Sequence, residues 1–449
     1  MKILIYGLNY APELTGAGKY TAEMAEALAA RGHDVRVVCA PPYYPEWKVA
    51  DGFSWWRGRR ETLRGVQVAR APLWVPKRPS GVKRLMHLAS FAAASLPALV
   101  SHMRWRPQVV MTIAPSLLNA PAALALSFVT RANSWLHIQD FEVDAAFDLG
   151  LLKSERAGRA ALAIERWIMQ RFTVVSSISD KMVERAKRKG VAETNAFSLP
   201  NWVDTTAIFP LDRPSGFRRE LNIGEHTKVV LYSGNMGAKQ GLEVLAEAAA
   251  AMADREDIVF VFCGNGATKA KLQTRCATLP NCRFMCLQPV ERLNELLNLA
   301  DIHVLPQRGD VADLVMPSKL TGMFASARAV IAMAQPGMEL FEAVNTRGVV
   351  VPPENVEKLV EAIDMLVDDP ALRAYLGAQG RRFAQERLSP VAVFGRLEDK
   401  LASLIGNGPQ DGRHGEVGDA IGVDAAEMPF ARVADAAAPV MLQSVEKIE

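Results

Sequence analysis

Cysteine is scarce in this chain: five in 449 residues, with no C-x-x-C pair among Cys39, Cys263, Cys276, Cys282 and Cys286. The closest spacing, Cys282–Cys286, lies in an apolar stretch that reads as a strand, which argues against a disulfide framework or a metal site and for a cytosolic setting. A secretory leader is also missing. Met1-Lys-Ile-Leu-Ile-Tyr6 is a short apolar run that leads straight into a glycine-containing turn, the pattern of a buried first strand. No acidic metal-binding motif stands out, so no metal and no cofactor are expected. Charge of one sign is not in excess either, since 52 Lys+Arg face 49 Asp+Glu for a net of +3. With 49% hydrophobic and 22% charged residues the composition is that of a globular protein, which excludes a largely disordered chain. At about 100–200 residues per domain the length predicts two or three domains.

The even balance hides an asymmetry. Residues 407–449 hold eight acids against three bases, lack an apolar face and read as a disordered tail. Between Phe53 and Arg106 eleven Lys/Arg face a single acid, Glu61, and are interleaved with Trp55, Trp56, Trp74 and Trp105.

What is present is an alternation of short β-rich runs and helical patterns, the signature of parallel α/β units. Strands are predicted at Lys2–Tyr6, Asp34–Cys39, Val109–Ile113, Ser134–Ile138 and Phe172–Ser176. After a proline-containing hinge at Pro200–Pro214 the pattern restarts with Lys228–Ser233, Ile258–Cys263, Arg283–Leu287, Ile302–Leu305 and Ala329–Met333. Each half reads as a doubly wound domain, and such sheets bind ligands at the carboxyl ends of their strands. A cleft with a shared ligand follows.

Three glycine turns lie at strand-to-helix junctions: Gly16-Ala-Gly18, Gly234-Asn235-Met-Gly237-Ala-Lys239-Gln-Gly241, and Gly264-Asn-Gly266. Glycine lets a ligand approach the backbone, and a helix N-terminus offers free N–H groups to an anion. The second turn adds Lys239 as a point charge for phosphate. The first turn is as consistent with a plain tight connection, the second favours a diphosphate over a solvated loop lysine, and the third lies at the same sheet edge as the second, which together favour a nucleotide. Met316-Pro317-Ser318-Lys319 opens a helix with a hydroxyl and a cation beside free N–H groups. His137-Ile-Gln-Asp140-Phe-Glu142-Val-Asp144 follows a strand, where a catalytic acid or base belongs. Asp140 would also serve as a helix cap, and His137 as a satisfied core histidine.

Taken together over about residues 1–400, these motifs resemble the GT-B glycosyltransferases, in the large retaining group called family 4. Ser176-Ser-Ile-Ser179-Asp180 and Pro200-Asn201-Trp202-Val203-Asp204 come in the same order as in that group. Ala11-Pro-Glu-Leu-Thr-Gly16, Ala40-Pro-Pro-Tyr-Tyr-Pro-Glu-Trp47, Leu136-His-Ile-Gln-Asp140 and Tyr232-Ser-Gly-Asn-Met-Gly237 are similar to the colanic-acid type fucosyltransferases of bacterial exopolysaccharide synthesis. The resemblance implies two facing Rossmann-like domains, an acceptor-side unit over 1–200 and a nucleotide-sugar unit over 201–388, followed by a C-terminal helix over 389–406. It further implies a nucleotide-sugar donor, with GDP-fucose the first choice, and a polyprenyl-diphosphate-linked sugar acceptor. Donor binding falls to Gly16, Gly18, Gly234, Asn235, Lys239, Gly264, Gly266, Pro317 and Ser318, and catalysis to Asp140, His137 and Lys319.

Departures from the family pattern are specific. Its Gly-Arg…Lys-Gly phosphate motif reads Gly234-Asn235…Lys239-Gln240-Gly241 here, so the arginine is missing. Its paired glutamates fall near Leu314 and Gly322, and the histidine before Asp140 is Gln139. Lys319 takes over the missing positive charge at the diphosphate beside Lys239. Two alternatives remain open, a nucleotide-sugar epimerase on the same fold and a non-catalytic partner subunit that has lost its glutamates.

The basic block then gains a role. Its apolar core Leu88–Val100 has 13 residues, short of the roughly 20 that span a bilayer. Basic flanks and tryptophans suit a helix near 77–106 lying on the inner face of the inner membrane, which makes the protein peripheral and cytoplasmic. A buried helix with a solvated basic rim has the same pattern. Nucleic acid, the other partner of basic aromatic patches, fits poorly beside nucleotide-sugar turns.

Overall fold

The computed structural model describes residues 1–13, 16–77, 81–141, 155–309 and 317–406, without the side chains of Glu155, Ala157 and Lys239. The tail over 407–449, Glu142, Asp144 and Leu314 lie outside the described residues.

Two sheets organise the chain. The first is built from β1 (Lys2–Tyr6), β2 (Asp34–Cys39), β3 (Arg59–Leu63), β4 (Val66–Arg70), β5 (Val109–Ala114), β6 (Asn133–Ile138), β7 (Val174–Ser177) and β8 (Ala196–Ser198), in the order β3-β4-β2-β1-β5-β6-β7-β8. All pairs are parallel except β3 with β4. The second contains β9 (Lys228–Ser233), β10 (Ile258–Cys263), β11 (Cys282–Met285), β12 (Ile302–Leu305), β13 (Ala329–Met333) and β14 (Val349–Val351), ordered β11-β10-β9-β12-β13-β14 and parallel throughout. Central strands such as IVFVFC of β10 are buried at every position, as sheets covered on both faces require. The order reverses beside β1 in the first sheet and beside β9 in the second. Those switch points leave crevices at the carboxyl ends of the strands.

The expected strands form, and the structure adds four: β3, β4, β8 and β14. β3 and β4 occupy the N-terminal part of the basic block, ahead of the helix expected near 77–106. Residues 59–70 are a hairpin closed by Arg64 and Gly65, both at positive φ (46° and 82°), as two-residue hairpin turns require. Arg59 and Arg60 are exposed on its outer strand, where charge prevents edge-to-edge pairing.

Helices cover both faces. On one side lies α1 (Gly16–Ala30). The other side carries α2 (Gly81–Ala94), α3 (Leu96–Ser101), α4 (Ala120–Thr130), α5 (Glu155–Met169) and α6 (Asp180–Arg188). The second sheet is flanked by α7 (Glu243–Ala251), α8 (Lys269–Arg275), α9 (Ser318–Ala325), α10 (Glu339–Val344), α11 (Val356–Asp368) and α12 (Pro370–Phe383). The final helix, α13 (Pro390–Gly406), crosses back and buries Val393, Phe394, Leu397 and Leu401 in the core of the first sheet beside α1. Glu398 on α13 meets Arg31 at 3.1 Å and His33 at 3.3 Å.

The helical run over Gly81–Trp105 has 25 residues and contains an 18-residue window of mean hydropathy 1.3, long and apolar enough to cross a membrane by length and composition. Its tertiary setting decides otherwise. His87, Phe91, Ser95, Leu99 and His102 are buried against the domain, so one face belongs to the protein core. Its opposite stripe, Val82, Leu85, Met86, Leu96 and Val100, is exposed.

Candidate functional site

The second sheet's crevice is built from three turns far apart in sequence. Gly234 leaves β9, Gly264 leaves β10, and Lys319 lies in the first turn of α9. Gly234 donates its N–H to the Cys263 carbonyl at 2.9 Å, and Met236 donates to the Asn265 carbonyl at 2.8 Å. The two glycine turns therefore interlock. A Cβ on Gly264 would lie 1.9 Å from the Gly234 carbonyl oxygen, and one on Gly266 2.4 Å from the Met236 carbonyl oxygen.

Lys319 runs across Gly234, its Nζ 3.0 Å from where a Cβ there would stand. Nζ donates to the Tyr232 hydroxyl at 3.0 Å and lies 4.4 Å from the centre of that ring. The Tyr232 hydroxyl in turn donates to the Asn235 carbonyl at 2.5 Å, so the tyrosine fixes both the lysine and the turn. Among the described residues no carboxylate pairs with Lys319. Burial pushes its ammonium down to about 8. A largely buried cation with no carboxylate partner among the described residues, in the first turn of a helix whose N-terminal N–H groups face the crevice, suits an anion.

Pro317 stands just ahead of α9 and Ser318 opens it, exposed, with the N-terminal N–H groups behind them. Lys239 lies in a 3₁₀ turn, Ala238–Gln240, closed by a bond from the Gly237 N–H to Gln240 Oε1 at 3.1 Å. Gly322, where the resemblance places the ribose-gripping glutamate, packs close to Leu297, whose Cδ1 would be 3.2 Å from a Cβ there. No acid reaches the crevice from that position.

The first sheet's crevice collects the remaining predicted residues. Gly16 starts α1 at φ 59°, and Gly18 lies against Glu13. Glu13 was missed by the sequence reading, although it sits inside Ala11–Gly16. Its Oε1 accepts from the Tyr43 and Tyr44 N–H groups at 3.0 and 3.1 Å, and its Oε2 accepts from Asn9 at 2.8 Å. Burial pushes the carboxyl up, while the Tyr43, Asn9 and Tyr44 donors pull it back. Glu13 thus ties together two of the motifs that carry the resemblance. Glu13→Ala leaves these N–H groups orphaned and is expected to cost about 2 kcal/mol of stability. Glu13→Gln keeps the acceptor oxygen and most of that stability, a contrast that urea unfolding of the two variants measures.

Asp140 lies exposed at the end of β6, and its side of the crevice is where sequence placed it. His137 requires a correction. It is 3% exposed, and its Nδ1 meets Ser176 Oγ at 2.9 Å while Nε2 meets Gln139 Nε2 at 2.9 Å. Since the Gln139 amide donates, the His137 Nδ1–H must donate to Ser176, which also accepts from Trp135 Nε1 at 2.7 Å. Burial holds the imidazole down to about 4. A neutral ring with both nitrogens engaged inside the core exchanges no proton with a substrate. It orients Gln139, which pairs its amide with that of Asn201 at 3.2 Å in both directions.

Across the cleft, the Lys181 N–H on α6 donates to Glu339 Oε2 on α10 at 3.0 Å, and Lys181 Nζ lies 3.7 Å from Glu342. Lys181 follows β7 and Glu339 follows β13, so the carboxyl edges of the two sheets face each other.

Two doubly wound sheets facing across such a cleft, one bearing interlocked glycine turns beside a half-buried lysine, define a two-domain transferase of the GT-B type. Residues 15–202 match the glycosyl transferase 4-like domain and residues 216–383 the glycosyl transferases group 1 family. The chain belongs to the GT-B glycosyltransferases and is a glycosyltransferase. It is 42% identical over 373 residues to WcaI of Escherichia coli (strain K12), named for colanic acid biosynthesis, covering 81% of this chain and 91% of that one. Solved structures share the fold at low identity. A sucrose-phosphate synthase of Thermosynechococcus elongatus superposes with a TM-score of 0.69 at 18% identity, covering 91% of this chain and all of that one. HepE of Anabaena, solved with UDP-glucose, gives 0.62 at 14%, covering 90% of this chain and all of HepE.

Proposed function

We propose that this glycosyltransferase moves a sugar from a nucleoside diphosphate donor to a lipid-linked oligosaccharide in exopolysaccharide synthesis of the colanic-acid kind. The observation that carries the reading is Lys319, a half-buried cation with no carboxylate partner among the described residues, poised over the Gly234–Gly264 turns. The donor's diphosphate supplies the missing anion. As the C–O bond to the diphosphate breaks, negative charge grows on the leaving oxygen, and Lys319 with the N–H groups at the start of α9 stabilises it without reorganisation. Each such group is worth about 2.7–4 kcal/mol in comparable sites. The acceptor hydroxyl forms the new C–O bond on the same face and passes its proton to the departing phosphate oxygen, which retains the anomeric configuration. No metal is assigned a part, because the protein's own donors and cation meet the charge. The similarity to WcaI supports the exopolysaccharide setting, and sequence resemblance makes GDP-fucose the first donor to try.

The acceptor is lipid-linked in this reading because α2 and α3 turn an apolar stripe to solvent between Lys77, Lys83, Arg84, Arg104 and Arg106. Such a face suits the surface of an anionic membrane and supports a peripheral position at its cytoplasmic side. A thermal-shift series with GDP, UDP and their sugars tests the donor. Saturation at about a hundred times the dissociation constant stabilises by about 2.7 kcal/mol. A shift with GDP and GDP-fucose alone supports the fucosyl reading, a UDP-only shift moves the donor, and no shift overturns the donor site.

A further inference from the structure

The apolar stripe of α2 and α3 does not end there. α4 shares a core with Phe91 and Leu99 on one side, through Ala123 and Leu126, and with Ile168 and Met169 of α5 on the other, through Ala120 and Leu124. The three helical segments therefore lie side by side on one face of the first sheet, with α4 in the middle. The outward side of α4 is apolar too: Phe128 is 86% exposed and Val129 58%. Beyond it, α5 exposes Ile164 and Trp167.

Each margin of this plateau carries a pocket of the same composition. At the α2 margin, Trp74, Val75, Pro76, Lys77 and Lys83 line a surface pocket of about 510 Å³. At the α5 margin, Arg159, Leu162, Ala163, Arg166, Trp167 and Gln170 line one of about 380 Å³. Each combines a tryptophan, two cations and aliphatic walls. On α5 the tryptophan is held in place, because the Arg171 guanidinium stacks 3.6 Å from its ring centre and donates to the Trp167 carbonyl at 2.6 Å. Neither Arg159 nor Arg166 meets a carboxylate among the described residues. Two arginines with no carboxylate partner among the described residues, beside an amphipathic ring at the rim of an apolar surface, match a phosphate headgroup above acyl chains.

We propose that the Arg159–Arg166–Trp167 pocket on α5 binds the headgroup phosphate of an anionic phospholipid in a bilayer, so that the domain docks flat on α2–α3, α4 and α5 rather than on one helix. The proposal rests on the membrane reading above and assigns it a second, separate anchor. Arginines at an anionic surface contribute about a factor of five each to partitioning, so Arg159→Gln/Arg166→Gln is expected to lower binding about 30-fold.

The test is co-sedimentation of the full chain with vesicles of phosphatidylcholine alone or with phosphatidylglycerol added, with thermal melts confirming that each variant is folded. Support is binding of the unaltered chain to the anionic vesicles, a loss of that order in the α5 double variant, and quenching by brominated lipid that diminishes in Trp167→Phe. Equal binding of the α5 variant, with loss in Lys77→Gln/Lys83→Gln, overturns the α5 site and leaves the α2 membrane reading standing. No binding of the unaltered chain overturns both. Displacement of the chain from vesicles by millimolar inorganic phosphate at constant ionic strength would show a free-anion pocket instead, and likewise overturns the proposal.

Discussion

Lys319→Ala is expected to fold at least as stably as the unaltered enzyme in the absence of donor, while kcat falls by about 10²–10³. The two effects have opposite signs for one reason. In the empty crevice a buried ammonium has lost hydration and gained only a hydroxyl and a ring, so its removal relieves a desolvation cost. In the transition state the same charge faces the developing diphosphate, and loss of one such preorganised group carries that kinetic penalty. Unliganded melts and steady-state kinetics with a nucleotide sugar separate the two. A pH signature accompanies them. Burial brings the folded-state value down to about 8, against an ordinary lysine value of about 10.4. Between these values the unfolded chain holds the proton and the empty native state does not, so donor-free stability rises with pH across that window. A nucleotide sugar binds the protonated form, so its affinity falls about tenfold per pH unit above 8. Lys319→Ala abolishes both dependences. An unchanged kcat in this variant would remove Lys319 from the mechanism.

Gly264→Ala is expected to be the most damaging single methyl in the donor crevice. The residue adopts φ +153°, strained for any L side chain, and its Cβ would fall 1.9 Å from the Gly234 carbonyl oxygen. That oxygen cannot simply retreat. The Gly234 N–H is bonded to Cys263 and the Gly264 N–H to the Met285 carbonyl at 3.2 Å. Backbone strain of about 1–3 kcal/mol combines with the clash for a total of about 4 kcal/mol or more, and nucleotide binding is lost with the turn. Gly395→Ala supplies the control. It is helical, within α13, with nothing within 4 Å of the added carbon, so it should be neutral or stabilise by up to about 1 kcal/mol. Denaturant melts of the pair give the comparison, and a Gly264→Ala protein as stable as Gly395→Ala would show that the turns do not interlock.

The buried strands were legible because fully covered parallel sheets need continuous apolar runs, and Lys2–Tyr6, Ile258–Cys263 and Ala329–Met333 supply them. β3 was not, because its sequence Arg59-Arg60-Glu61-Thr62-Leu63 is largely solvent-facing at a sheet edge. The alternation of Val66, Val68 and Arg70 after Arg64-Gly65 was the available signal. Within the site, the glycine turns and Lys319 could be read from residue type and position after a strand or before a helix. Glu13 escaped because its partners Tyr43 and Tyr44 lie thirty residues away on another loop.

By itself, the sequence determined two doubly wound units, their order, the strand-end turns and the presence of cations for a phosphate, because periodicity and turn chemistry are local properties. Tertiary structure alone decided which of these groups meet. It brought Lys319 across Gly234 and locked Gly234 against Gly264, joining turns that adjacent parallel strands deliver to one edge. It withdrew His137 from the cleft by occupying both its nitrogens. It also aligned α5 with α2 and α3 through α4, which no linear pattern records, because the surface a helix shares with its neighbours depends on strand order and not on distance along the chain.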